Sequence, residues 1–238
     1  MAKAVADRTI KAKSAKAKSA KGEIARAKLK AAALVVMEEV GYHKIRTTDV
    51  TQQAGVAAGL FYHYFNDLPS LTREVLEDYI GRALHLDDIE KDVGKGDWYG
   101  RMLAHNLLVV RSYHERPGIM RCLLQLADED AEFAKLLREN WRQQLSWLIT
   151  LMPKLFPDVV FAKHQAKMLV YTLAGTGERV LRDYYINREA SLLQADLTVE
   201  EFAELLTVMF YRGLFLENPP EEKLSYTHNL RFMHKTDQ

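Results

Sequence analysis

Apolar residues recur every three or four positions along most of this chain, and nowhere do they alternate over a length that a strand needs. The spacing predicts an all-α protein. Leu29, Ala32, Ala33, Val36, Met37 and Val40 form one stripe over about residues 22–40, with Gly41 as its stop. Val50 and Ala54 mark a short helix that the hydroxyl of Thr47 or Thr48 can open and Gly55 can end. Phe61 and Phe65 mark a second short helix. Leu71, Val75, Leu76, Tyr79, Ala83 and Leu86 mark a longer one that Asn66 or Asp67 can cap. Punctuation predicts the rest. Asp97 opens a helix that stops before Pro117, and residues 118–126 make a short one. Asp128 opens a helix to about Leu151, ending before Pro153, and Asp158 opens one reaching past Arg182. Thr198 and Glu201 form a capping box for a last long helix that ends at Asn218, Pro219 and Pro220.

The stretch from Arg46 to Phe65 has the parts of a helix-turn-helix. Gly55 can take the left-handed conformation without a Cβ clash, and Val56 can plug the corner between the two short helices. With Phe61 and Phe65 turned inward, Ala58, Gly59, Tyr62 and His63 face out. A buried helical hairpin would explain Val50, Phe61 and Phe65 equally well. It would not explain two outward polar rings after a glycine corner.

Gly41-Tyr42, Asp49-Val50, Ala54-Gly55-Val56, Gly59 and Tyr62-His63-Tyr64-Phe65 together resemble the signature of the TetR family of bacterial transcriptional regulators, over about residues 25–76. The chain departs from the family pattern in three ways. Ile45-Arg46 stands where the family usually has two hydroxyl residues, Ala57 and Leu60 stand where it tends to place Ser and Thr, and Leu68 where it often has lysine. These changes remove hydrogen-bonding groups. DNA contact is therefore expected from Arg46, Thr47, Thr48, Tyr62 and His63, from apolar contact of Ala58, Gly59 and Leu60 with base edges, and from Lys28 on phosphate.

The net charge of +1 hides an asymmetry: residues 1–30 balance at +8 and the remainder at −7. A polyanion would be held at one end only. Residues 1–21, mostly Ala, Lys and Ser, read as a disordered basic arm that either adds phosphate contacts or only aids solubility. The single cysteine excludes an internal disulfide. No apolar run approaches the ~18 residues of a membrane span, and no apolar segment follows the basic N-terminus, so a cytoplasmic protein is expected.

The sequence divides into the arm (1–21), a DNA-binding domain (22–67), a helical effector-binding and dimerisation domain (68–218) and a tail (219–238). In the larger domain Met102, His105, Tyr113, Cys122, Trp141 and Trp147 suit the wall of an apolar cavity, and equally a plain core. The resemblance implies an effector pocket there, for which a hydrophobic or aromatic small molecule is the expected occupant. Leu173, Gly177 and Leu181 on one long helix, and Phe202, Leu206, Met209, Phe210 and Gly213 on the last, form broad apolar faces. Two-fold pairing into an intermolecular four-helix bundle would cover them, as would packing inside one chain. The resemblance implies the homodimer, set on double-stranded operator DNA.

No catalytic or metal constellation, phosphate-binding glycine loop or cofactor motif occurs. The expected function is a DNA-binding transcriptional regulator, a repressor released by a small molecule. An architectural DNA-binding protein without effector and a helical enzyme or carrier are the alternatives.

Overall fold

The computed structural model describes residues 22–83, 93–162 and 164–232, and every regular element among them is helical. The helices are α1 (22–40), α2 (Thr47–Ala54), α3 (Ala58–Tyr64), α4 (Leu68–Ala83), α5 (Trp98–Glu115), α6 (Pro117–Glu129), α7 (Ala131–Leu155), α8 (Gln165–Leu181), α9 (Ala190–Leu193) and α10 (Val199–Phe215). The basic arm, and Leu86 of the α4 stripe, lie outside the described residues.

Two compact units divide between Asp78 and Tyr79. The boundary falls inside α4, later than the position 67/68 expected from the sequence. Ion pairs are the reason: Arg26 of α1 donates to Glu74 at 2.5 Å, and Lys30 donates to Glu74 at 2.7 Å and to Asp78. They hold the first half of α4 to α1. They turn the Arg26 and Lys30 cations toward α4. In α1 the stripe Leu29, Ala32, Ala33, Val36 and Met37 is buried, while Val40 at its end stays 40% exposed.

Helix α2 is opened by Arg46, whose backbone is extended and whose side chain makes no capping bond. Thr47 and Thr48 are not its cap, because both already lie inside the first turn. Asp67 caps α4 by accepting the Ser70 N–H at 2.8 Å, and that bond, with the Ser70 hydroxyl, lowers its carboxyl pKa.

In the larger unit Asp97 opens α5 through the Gly100 N–H at 2.9 Å, and a Cβ at Gly100 would come within 2.6 Å of that carboxylate. Asp130, not Asp128, caps α7, accepting the N–H groups of Glu132 and Phe133 at 3.0 Å. The helix continues through Pro153 to Leu155. Proline removes one N–H there, and the helix ends two residues later, so the loss falls in its final turn. Helix α8 begins at Gln165 rather than near Asp158, since His164 takes φ 65° and breaks the helical path. After Leu181 the chain adds a π turn, Arg182–Ile186, which places Tyr184, Tyr185 and Ile186 together in the core. The capping box Thr198–Glu201 opens α10, which ends at Phe215 with Leu216 left-handed.

Helices α5 and α10 form the main packing contact of this unit. One core joins Val110 and Tyr113 to Leu181, Phe202 and Ala203; another joins Met102, Leu148, Met152, Val170 and Leu214. The segment after α10 is part of the fold. Glu204, 2% exposed on α10, accepts the N–H groups of Ser225, Tyr226 and Thr227 and the Thr227 hydroxyl, all between 2.7 and 2.8 Å. Leu224 thereby packs with Tyr99 and Val208.

Candidate functional site

In the N-terminal unit Gly55 takes φ 64°, and the Val56 N–H returns to the Thr51 carbonyl at 3.0 Å. That bond closes a tight corner, after which α3 begins without a side-chain cap. Phe61 is fully buried and Phe65 nearly so, with ring centroids 5.9 Å apart and the Arg26 guanidinium 4.9 Å from the Phe65 ring. One side of α3 is thereby fixed against the interior. The opposite side carries Ala58, Gly59, Tyr62 and His63, all exposed, with Tyr62 at 65%.

Each ring on that outer face is braced rather than loose. Tyr62 meets Phe61 edge-on at 5.2 Å and His63 meets Tyr64 edge-on at 4.9 Å. Leu60 is only half-exposed, so its reach is smaller than that of Ala58. Ile45 is 7% exposed and Arg46 exposed, so the departure at this pair puts an apolar plug inward and a cation outward. Thr48 is exposed, Thr47 half-buried, and Lys28 is exposed with no ion pair among the described residues. Gln52 and Gln53 are exposed on α2 beside this surface and were missed from sequence, although inward Val50 and Ala54 leave them facing out. Amides and cations that point outward around a short helix with no carboxylate of its own suit the edge of a duplex, where phosphates and bases offer acceptors.

The larger unit holds a partly open cavity of about 460 Å³. Met102, His105, Tyr113, Trp141 and Trp147 line it, as do Tyr79 and Ile80 at the end of α4. Cys122, grouped with them from sequence, is wholly buried away from the cavity, on the face of α6 that packs into the core. His105 has no partner for Nδ1, and burial lowers its pKa to about 4. Burial raises the Glu178 carboxyl above its usual range, opposed by the Arg182 guanidinium, which donates to it at 3.4 Å.

The two apolar faces expected at an interface divide. Leu181 and Phe202 are each 1% exposed within one chain and cannot face a partner. Leu173 fills the space over Gly213, where a Cβ would meet it at 2.5 Å, and Leu206 lies 3.5 Å from a Cβ at Gly177. These glycines let α8 and α10 approach each other inside the chain. Leu173, Leu206 and Phe210 are half-buried and border the cavity; Met209 also borders it but is 50% exposed. The outward face of α8 is Met168, Thr172, Gly175 and Thr176.

Residues 29–71 match the profile of a family described as bacterial regulatory proteins, tetR family. A search of curated proteins finds no match. Among solved structures, the chain is similar to a tetR-family transcriptional regulator from Streptomyces coelicolor, with a TM-score of 0.61 and 16% identity over 80% of this chain and 83% of that one. It is also similar to a putative transcriptional regulator from Pseudomonas aeruginosa PAO1, with a TM-score of 0.59 and 15% identity over 77% and 87% of the two chains. At such identities the structures show a shared fold, and the matched segment spans α2, the Gly55 corner and α3. Residues 29–71 thus form a helix-turn-helix DNA-binding domain of the tetR-family type, and the chain as a whole shares the fold of these regulators.

Proposed function

We propose that the chain is a repressor that binds operator DNA as a homodimer and leaves it when a small molecule enters the cavity. Base contact falls to Tyr62, His63, Ala58 and Gly59, and phosphate contact to Arg46, Thr48 and Lys28. The observation that carries the effector part is the continuity of α4. Glu74 and Asp78 on this helix are tied to α1, and the next two residues, Tyr79 and Ile80, line the cavity. A ligand that moves Tyr79 or Ile80 therefore acts on the helix that holds α1. Differential affinity of a few kcal/mol between the two arrangements suffices to empty an operator.

The dimer reading is supported by Met168, Thr172, Gly175 and Thr176 on α8 and Met209 on α10, an exposed surface of small and apolar side chains. Two-fold pairing there would present two α3 helices to successive major grooves. The test is a screen for compounds that raise the melting temperature, followed by gel shift on DNA recovered by genome-wide occupancy. Stabilising compounds should release the DNA, and Ala174→Leu, which narrows the cavity, should weaken that release without weakening DNA binding. Compounds that stabilise the protein but leave DNA affinity unchanged would refute the effector role.

A further inference from the structure

Resting on the reading of the cavity as the effector site, we propose that its ligand is an uncharged polycyclic or aromatic molecule carrying a single hydroxyl or carbonyl group, held at that group by His105.

Size sets the first limit, since about 460 Å³ admits a molecule of several fused rings and no large conjugate. Charge sets the second. Among the described residues no lysine or arginine lines the cavity, and the one carboxylate, Glu178, is already engaged by Arg182. An ionised ligand would leave water without a free counter-charge, which is the most costly form of burial. Aromatic walls at Tyr113, Trp141, Trp147, Phe202 and Phe210 favour flat apolar rings.

The polar groups of the wall then decide where such a molecule is gripped. The Asn106 amide donates to the Thr207 hydroxyl at 2.9 Å, and the Gln144 amide donates to the Asn140 side chain at 2.7 Å. The Ser112 and Thr176 hydroxyls donate to the carbonyls of Leu108 and Thr172. His105 differs from these because its imidazole makes no hydrogen bond among the described residues: Nδ1 is covered by protein, which leaves Nε2 as the nitrogen that a ligand in the cavity can meet. A neutral imidazole offers one donor and one acceptor, so it can serve a hydroxyl or a carbonyl. One hydroxyl or carbonyl on the ligand is enough to use it.

The experiment uses the full chain and four probes with one body: 1-pyrenemethanol, 1-methylpyrene, 1-pyrenemethylammonium and 1-pyrenecarboxylate. Binding is read as energy transfer from tryptophan to pyrene, since Trp141 and Trp147 line the cavity, with operator release followed in the same titration. The alcohol should bind at least tenfold more tightly than either ion. It should exceed 1-methylpyrene by roughly five- to tenfold, the worth of one hydrogen bond. His105→Phe should erase the second margin and leave 1-methylpyrene binding unchanged, while His105→Gln should restore much of it. An ion that binds as tightly as the alcohol, an alcohol margin that survives His105→Phe, or no transfer with any probe overturns the proposal. If an ion both binds and releases operator, the ligand class falls and the effector reading stands. If the alcohol binds through His105 without releasing operator, the ligand class stands and the effector reading falls.

Discussion

Phe61 and Tyr62 are neighbours on α3, the first with no exposed surface and the second 65% exposed, and between them they divide the work of the N-terminal unit. Its core is built on wholly buried side chains such as Leu29, Val50 and Phe61, and what distinguishes it is what it shows to solvent. The larger unit reverses this arrangement. Its own apolar side chains leave about 460 Å³ open, and its distinguishing groups, His105 and two tryptophans, face inward. A unit that reads a rigid duplex needs a fixed outer face, so a full core serves it. A unit that admits a small molecule needs space that its own packing leaves empty.

The largest effect should come from removing a ring that only fills. Phe61→Ala should destabilise the N-terminal unit by about 4 kcal/mol, the usual range for a fully buried phenylalanine, and abolish DNA binding. Denaturant unfolding followed by hydrogen exchange should show amides of α1 to α3 losing protection while those of α5 and α10 keep theirs. Loss of protection in both units alike would break the division between them.

Glu204 should follow, as the buried polar group that holds the segment after α10. Glu204→Ala leaves three N–H groups without an acceptor and should cost about 3 kcal/mol, with faster proteolysis between residues 219 and 232. Its pH dependence has a definite sign. Burial alone would raise the Glu204 carboxyl, but the hydrogen bonds from Thr227, Tyr226 and Ser225 outweigh it and hold the pKa below the ordinary glutamate value. A depressed folded pKa stabilises above the unfolded value and stops doing so as pH falls through the folded one. The difference between the natural chain and Glu204→Ala should therefore be full at neutral pH and shrink in acid.

Short-range chemistry in this chain was legible in the sequence, and long-range pairing was not. The Thr198–Glu201 box, the Asp97 cap and the Gly55 corner each depend on residues within five positions of one another. Asp128 and Asp130 are equal candidates by type, and only the path of the backbone decides between them. Pro153 misled because its rule concerns helix interiors, and it sits in a last turn. Glu204 carried a signal that went unread: an acidic residue beside Ala203 on a helix face whose other members, Thr207 and Val208, are buried. What it binds lies more than twenty residues on, in a segment with no periodicity. The cavity was half legible, since helical spacing gathers Met102, His105 and Tyr113 on α5 but says nothing of Cys122, whose side of α6 turns away from the space.

Tyr62→Ala should sharpen the contrast with Phe61. An exposed ring contributes little to folding, so stability should change by less than about 0.5 kcal/mol. Operator affinity should fall about tenfold or more, since good base contacts are worth ~1–3 kcal/mol. A nitrocellulose filter assay on operator and random duplexes separates base reading from phosphate attraction. Equal loss on both would place Tyr62 on the backbone rather than the bases.

The smallest effect on stability should come from adding atoms where the larger unit lacks them. Ala174 is half-buried on the cavity wall, so a leucine there projects new methyl groups into open space. In a filled core such an enlargement costs roughly 1–3 kcal/mol through forced rotamers. Here the added contacts should leave stability unchanged or raise it by up to about 1 kcal/mol, because filling a void gains dispersion without displacing neighbours. Probe binding should nonetheless weaken, since the leucine takes up part of the volume a ligand uses. A drop in melting temperature of the size expected for overpacking would mean that the void closes in solution, and the contrast between a full reader and an open body would go with it.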